Sequence, residues 1–196
     1  MTIDAAFTNF PVLSTARLRL RAPRPEDAPA VFEFKSDPEV TGPYAAEPHR
    51  SLEQSASWVA ARLDNYRHRD SNLWIVADAR EDRAIGSACL WHFETDRRCA
   101  ELGYEIGRPH WGRGLATEAA AEVVRFGFTE MDLHRIEACP LAGNVASHRL
   151  LRHLGFSLEG TLRERVGRPG RFEDQFYYGL LREEWEAARA AAGRES

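Results

Sequence analysis

Residues 100–120, Ala-Glu-Leu-Gly-Tyr-Glu-Ile-Gly-Arg-Pro-His-Trp-Gly-Arg-Gly-Leu-Ala-Thr-Glu-Ala-Ala, constrain the fold more than any other stretch. Residues 100–107 read as a strand, Gly112 and Gly114 as a tight loop, and a helix opens near Leu115. Glycine tolerates the left-handed backbone such a loop needs. A helix start presents unpaired N–H groups where the macrodipole already favours negative charge. Strand, glycine loop and helix in this order predict a cradle for a diphosphate. The chain lacks the lysine followed by serine or threonine of a P-loop, and the third glycine and downstream acid of a dinucleotide fold. Some other diphosphate is expected.

The 196 residues are 43% hydrophobic, enough for one domain with a sizeable core. A formal net charge of −4 argues against a general nucleic-acid binder, which carries a basic face. Lys35 is the single lysine among 26 basic residues, which codon bias toward arginine explains more simply than a demand for planar anion contacts. Cys89, Cys99 and Cys139 are odd in number, widely spaced and outside any Cys-x-x-Cys pattern, so neither a disulfide framework nor a zinc site is expected. No His-Glu-x-x-His or other metal-ligand spacing occurs, and no metal is expected. The opening Met-Thr-Ile-Asp-Ala-Ala is neither a basic leader nor a long apolar span, and a reducing cytoplasm is the expected location.

Residues 1–13 read as a flexible arm, 14–185 as one domain, and 186–196 as a C-terminal helix and tail. Leu18-Arg-Leu-Arg21 alternates as a half-buried strand does, and Pro23-Arg-Pro-Glu-Asp then starts a helix reaching about Lys35. Segment 37–50, with Pro38, Gly42, Pro43 and Pro48, cannot be one regular element. It reads as a flexible loop of the kind that shapes a substrate entrance. Ser51 and Gln54 suggest a capping box for a second helix, with an apolar face through Leu52, Ala56, Val59, Leu63 and Tyr66. Runs at 73–77 and 85–93 predict a hairpin. After the glycine-loop helix, a strand at 135–140, a helix at 144–154 closed by Gly155, and strands at 156–162 and 174–181 complete a mixed α/β layer.

Six stretches matter together: Trp111-Gly-Arg-Gly-Leu-Ala116, Thr15-Ala-Arg-Leu-Arg-Leu-Arg21, His134-Arg-Ile-Glu-Ala138, Asn144-Val-Ala-Ser147 leading to Leu154-Gly-Phe156, Glu159-Gly-Thr-Leu-Arg-Glu164 and Leu180-Leu-Arg-Glu-Glu-Trp185. In combination they resemble the GNAT acetyltransferases, most closely the RimJ/RimL-type branch. Trp111 departs from the family's general signature, which has Gln or Arg there. The resemblance implies a mixed, mostly antiparallel seven-stranded sheet with splayed parallel central strands and helices on both faces. It implies acetyl-CoA as co-substrate and a primary amine as acceptor, joined in a ternary complex without a covalent enzyme intermediate. The branch points to the α-amino group of a protein N-terminus, ribosomal proteins included. A small-molecule amine (an aminoglycoside, polyamine or amino-acid analogue) and a catalytically weak acyl-CoA-binding sensor stay open as alternatives, as does a homodimer.

Carried onto this chain, the resemblance implies that backbone groups of Tyr104, Glu105 and Ile106 bond the pantetheine arm. N–H groups of Gly112, Arg113, Gly114, Leu115, Ala116 and Thr117 would hold the pyrophosphate. The Arg113 side chain is either a further phosphate contact or a solvated loop arginine, and Trp111 either packs beside the coenzyme or anchors the loop. Ser147 shares a helical face with Leu151 and Leu154, so its hydroxyl should point inward. It either bonds the carbonyl four residues back or protonates the departing thiolate. The family often gives the latter role to a tyrosine, whose counterpart here is Leu151. Asn144 reads as an N-cap, a coenzyme contact, or both. Glu105 is the candidate general base, directly or through water. Glu101 on the same strand face is its alternative, and a solvated carboxylate is the plain reading of either. His92 and His110 lie nearest the expected cleft. Acceptor walls are expected from 37–50 and 163–174, the second made basic by Arg163, Arg165, Arg168 and Arg171.

Overall fold

The computed structural model describes residues 3–168 and 171–192. Its centre is an eight-stranded sheet in the order β1-β2-β3-β4-β5-β6-β8-β7. The strands are β1 (Leu13–Ser14), β2 (Leu18–Arg21), β3 (Ser71–Asp78), β4 (Ala84–Glu94), β5 (Cys99–Ile106), β6 (Arg135–Ala138), β7 (Ser157–Arg168) and β8 (Arg171–Leu181). All pairs are antiparallel except β5 with β6. The expected seven-stranded layer is therefore present with one strand more, the two-residue β1, too short to leave a periodic signal.

Six helices complete the fold: α1 (Ala28–Lys35), α2 (Pro38–Thr41), α3 (Leu52–Arg67), α4 (Leu115–Thr129), α5 (Val145–His153) and α6 (Arg182–Ala192). Strand β3 shows why the sheet is a central layer. Trp74 and Val76 enter the core beneath α4, whereas Ile75 and Ala77 enter a second core with Val31 of α1 and Val59 of α3. A strand buried on both faces reads as a continuous apolar run rather than an alternating one, as Leu-Trp-Ile-Val-Ala does here.

Three local expectations need correction. The segment 1–13 is not a free arm across its described part: Ile3, Ala6 and Leu13 are buried, Trp74 donates to the Pro11 carbonyl (2.8 Å), and Phe7 and Phe10 pack on Tyr66. Aromatic residues in a short irregular stretch give no period, so their docking was not legible. Segment 163–174 is not a loop across its described part, because 163–168 belongs to β7 and 171–174 to β8, paired antiparallel. The side chains of Arg168 and Arg171 lie outside the described residues. Finally, α3 is rotated from its predicted face. Leu52 and Ala56 are exposed, and the inward side runs through Ser55, Trp58, Val59, Arg62 and Tyr66.

One feature of the sheet positions the site. Strands β5 and β6 pair only from Cys99–Arg135 to Glu101–Glu137. Beyond Glu101, β5 keeps its β4 partners as far as Ile106, so its other edge from Leu102 onward is free along an open gap.

Candidate active site

The gap opens onto a cleft of about 1050 Å3, lined on one side by Tyr104, Glu105 and Ile106 of β5 and on the other by Asn144, Ser147 and Leu150 at the start of α5. Its far end is the glycine loop. Gly112 and Gly114 have φ of +72° and +73°, a left-handed backbone that a side chain would strain. Gly114 is the N-cap of α4 and offers no side-chain cap, so the N–H groups of Leu115, Ala116 and Thr117 have no cap partner and border the cleft. Glu118 would oppose an anion here, but Thr15 (2.5 Å) and Arg17 (Nε at 2.6 Å) engage its carboxylate and, against burial, hold it below its ordinary range. The exposed Arg113 side chain is not a cleft wall, and its carbonyl accepts from Arg17 (2.9 Å). Trp111 lines the cleft and also donates its indole N–H to the Ile106 carbonyl (2.6 Å), fixing the loop to the end of β5. A free strand edge leading to an uncapped helix start fits a long ligand that ends in a diphosphate.

Midway along the cleft, the Tyr104 hydroxyl lies 2.7 Å from Ser147 Oγ. Burial pushes the Tyr104 phenol up to about 12, so it is protonated at neutral pH. Two hydroxyls that share one hydrogen bond leave one O–H proton for a ligand. Asn144 accepts from the Ser147 N–H (3.1 Å) as the helix N-cap and donates to the Pro43 carbonyl (3.3 Å). Ser147 therefore points inward as expected, toward the hydroxyl of Tyr104, a residue expected to contribute only its backbone.

A second cavity, of about 340 Å3, meets the cleft at Pro43, Tyr44, Tyr104, Glu105, Asn144 and Ser147. Alternation along β5 sets Glu101, Gly103 and Glu105 on its floor. Gly103 packs closely against Cys89, since a Cβ there would come within 2.9 Å of its Sγ. Glu105 is fully engaged: it accepts from Lys35 Nζ (2.6 Å), Ser87 (2.7 Å) and Tyr44 (2.5 Å). Burial would raise its carboxyl, but Lys35 and the two hydroxyls outweigh it and hold the group below the ordinary carboxylate range. A carboxylate so held is an anchor and a poor proton acceptor. Glu101 is the opposite case. Burial pushes it up, only partly offset by His92 at 3.2 Å. Cys89 and Cys139 also border this cavity, and burial pushes both thiols up to about 12, which keeps them from acting as nucleophiles at neutral pH. Among the described residues no cluster of three His, Cys, Asp or Glu side chains could hold a metal ion.

The model of the acetyltransferase (GNAT) domain matches residues 17–157. The chain belongs to the GNAT acetyltransferase family. It is 35% identical over 173 residues to the N-acetyltransferase YoaA of Bacillus subtilis, covering 88% of this chain and 98% of that protein. The crystal structure of a GNAT-family acetyltransferase from Bacillus anthracis superposes with a TM-score of 0.78 at 26% identity, covering 89% of this chain and all of that one. Two more distant structures share the fold. One is a spermidine N-acetyltransferase from Vibrio cholerae in complex with CoA and spermine (TM-score 0.77, 23% identity, 87% of this chain and 99% of that one). The other is a ribosomal-protein-S5-alanine acetyltransferase from Vibrio fischeri (TM-score 0.73, 21% identity, 89% and 98%). Acetyl-CoA is the acyl donor of this family.

In this acetyltransferase Tyr104, Glu105, Ile106, Gly112, Gly114, Leu115, Ala116, Thr117, Asn144 and Ser147 line one cleft, Glu101 lines only the adjoining cavity, and Arg113, His92, Arg163 and Arg165 line neither. Several participants had no local signature. Tyr44 lies in the proline-rich segment 37–50, which forms α2 and a further helical turn at Gly42–Tyr44 rather than a free loop. Lys35 stood out only as the sole lysine, and Trp58, Arg62 and Trp91 read as ordinary helix and strand positions. Arg149 and His153 add cationic or polar cover to the cleft from α5. Of the two histidines expected near the cleft, His110 borders it, while His92 stacks on Trp91 with ring centroids 3.7 Å apart. Among the described residues no helix is long and apolar enough to cross a membrane.

Proposed function

We propose that this acetyltransferase acts on the α-amino group of a polypeptide N-terminus, as RimJ/RimL-type enzymes do, by direct attack in a ternary complex. The observation that carries this reading is the meeting of two cavities at Tyr104 and Ser147, one shaped for the coenzyme and one for the amine. Acetyl-CoA supplies an acyl group already activated as a thioester. Tyr104, Glu105 and Ile106 offer the strand edge that positions its pantetheine arm, and the N–H groups at 112–117 hold its diphosphate. Glu101, raised by burial, takes the proton that an incoming ammonium must lose, directly or through water. The Tyr104–Ser147 pair gives a proton to the departing sulfur and takes back the one that the nitrogen loses on becoming an amide. The inert thiols of Cys89 and Cys139 favour direct transfer over an acyl-enzyme.

An extended N-terminal segment would enter between Tyr44 and the β7–β8 hairpin, whose Val166 and Gln175 border the cavity. Arg62, the cation in the cavity wall that no carboxylate pairs with among the described residues, works against a polycation such as spermidine. The cavity's modest volume favours a second reading, a free small amine, which an acceptor panel separates from the first. Peptides with a free small first residue should exceed spermidine, kanamycin and free lysine in kcat/KM for coenzyme A release. Blocking the peptide α-amine while leaving a lysine side chain should abolish turnover. Equal turnover of the blocked peptide, or preference for kanamycin, would remove the N-terminal assignment.

A further inference from the structure

The rotation of α3 turns an arginine inward. Arg62 borders the acceptor cavity, and its Nε is buried without a hydrogen-bond partner. Its guanidinium carbon lies 5.2 Å from the Trp58 ring centroid, one helical turn back. Among the described residues no carboxylate is paired with it. Lys35 Nζ rests over the same indole at 4.7 Å, but Glu105 already neutralises it at 2.6 Å. Glu101, the other carboxylate on the floor, faces His92. With Lys35 and Glu105 cancelled, the walls retain one uncommitted cation beside one carboxylate. A buried donor without a partner is unfavourable in the empty cavity, and more so for a charged group. A guanidinium held flat against an indole presents a planar fork whose natural complement is a carboxylate.

We propose that Arg62 is a specificity residue that grips a carboxylate carried by the acceptor close to its reacting amine. The inference rests on the reading of this cavity as the acceptor site. Two acceptors supply that chemistry: a small amine bearing its own carboxylate, and a peptide with an acidic residue at its second position. Glu101 receives the ammonium end and Arg62 the anionic end, so the cavity selects a molecule carrying both charges.

Matched acceptor pairs test this: alanine against alaninamide, and an Ala-Glu peptide amide against its Ala-Gln and Ala-Lys counterparts. The carboxylate member should lead in kcat/KM by roughly 10- to 100-fold, mostly through KM, the scale of a charge-assisted bond. The first pair reports the small amine and the second the peptide. Arg62→Gln should erase the lead, and Arg62→Glu should invert it toward Ala-Lys. A retained acetyl-CoA thermal shift shows that each variant is folded. In parallel, calorimetry on the CoA-loaded protein measures binding of the unreactive products acetyl-alanine and acetyl-Ala-Glu-amide against their neutral analogues. Tighter carboxylate binding in the wild type, lost in Arg62→Gln, supports the inference even if no amine is turned over, an outcome that would instead refute the transfer reading. Equal kcat/KM within each pair, equal binding, or a preference that survives Arg62→Gln overturns the role of Arg62 and leaves the acetyltransferase assignment untouched.

Discussion

Glu105→Gln separates an anchoring carboxylate from a catalytic base. The substitution keeps the shape but removes the charge that faces Lys35 at 2.6 Å, with both side chains about nine-tenths buried. Losing one partner of a buried pair strands the other, at about 3–5 kcal/mol. For a chain of this length, 1 kcal/mol corresponds to about 2–4 °C, so the melting midpoint should fall by about 6–20 °C. Removing Lys35 as well, as in Lys35→Met/Glu105→Gln, should recover part of the loss because no ammonium is then left unpaired. The pH dependence carries the same signature. The folded-state pKa of Glu105 is depressed, so its contribution is present above the unfolded carboxylate value and is lost as pH falls through the folded one. The wild type should therefore lose more stability on acidification below about pH 4 than the Gln variant does. Thermal unfolding followed by circular dichroism across pH 3–8, with turnover measured well below the midpoint, reads both effects. A variant with wild-type stability and no turnover would refute this reasoning and return Glu105 to the role of free base.

Other outcomes follow from the same geometry. Ser147→Ala and Tyr104→Phe should each lower kcat by roughly 10- to 1000-fold with little change in acetyl-CoA affinity, and the double variant should lose little more than either alone, since one relay is broken in all three. Glu101→Gln should suppress turnover, and the acidic limb of the wild-type kcat/KM profile should lie above the ordinary carboxylate value, because burial raises Glu101. His92→Gly, which suits the left-handed backbone there (φ 49°), removes a partner that lowers Glu101 and should move that limb to higher pH. Saturating acetyl-CoA, at 100 times its Kd, should stabilise the wild type by about 2.7 kcal/mol, a midpoint rise of about 5–11 °C. Gly114→Asp, with a side chain on a left-handed residue and a negative charge in the cradle, should abolish that rise in a thermal-shift assay.

The fold was legible where residues act through local rules. Gly112 and Gly114 require a positive φ, Asn144 caps a helix, Gly155 ends it with φ +90°, and alternation on β5 puts Glu101 and Glu105 on one face. What stayed hidden depends on neighbours distant in sequence. Lys35 and Tyr44 reach Glu105 across 70 and 61 positions, turning a candidate base into an anchor. Tyr104 finds Ser147 only because β5 and β6 part beyond Glu101. The wholly apolar stripe through Leu52 and Ala56 is not the buried face of α3, because packing against β3 and α1 turns Ser55, Trp58 and Arg62 inward instead. The branch resemblance gave a family that the domain match bears out, while the cavity proposed for the acceptor is walled by side chains from α3, segment 37–50 and the β7–β8 hairpin that no local pattern brings together.

In the proposed reaction a coenzyme cleft and an acceptor cavity are filled together and meet at Tyr104 and Ser147. Initial velocities over a matrix of acetyl-CoA and free-amine peptide concentrations test this most directly. Both substrates bound at once predicts double-reciprocal lines that intersect. Parallel lines, together with acetyl-enzyme trapped in the absence of peptide, would contradict it and point to a covalent intermediate on a side chain such as Cys89 or Cys139.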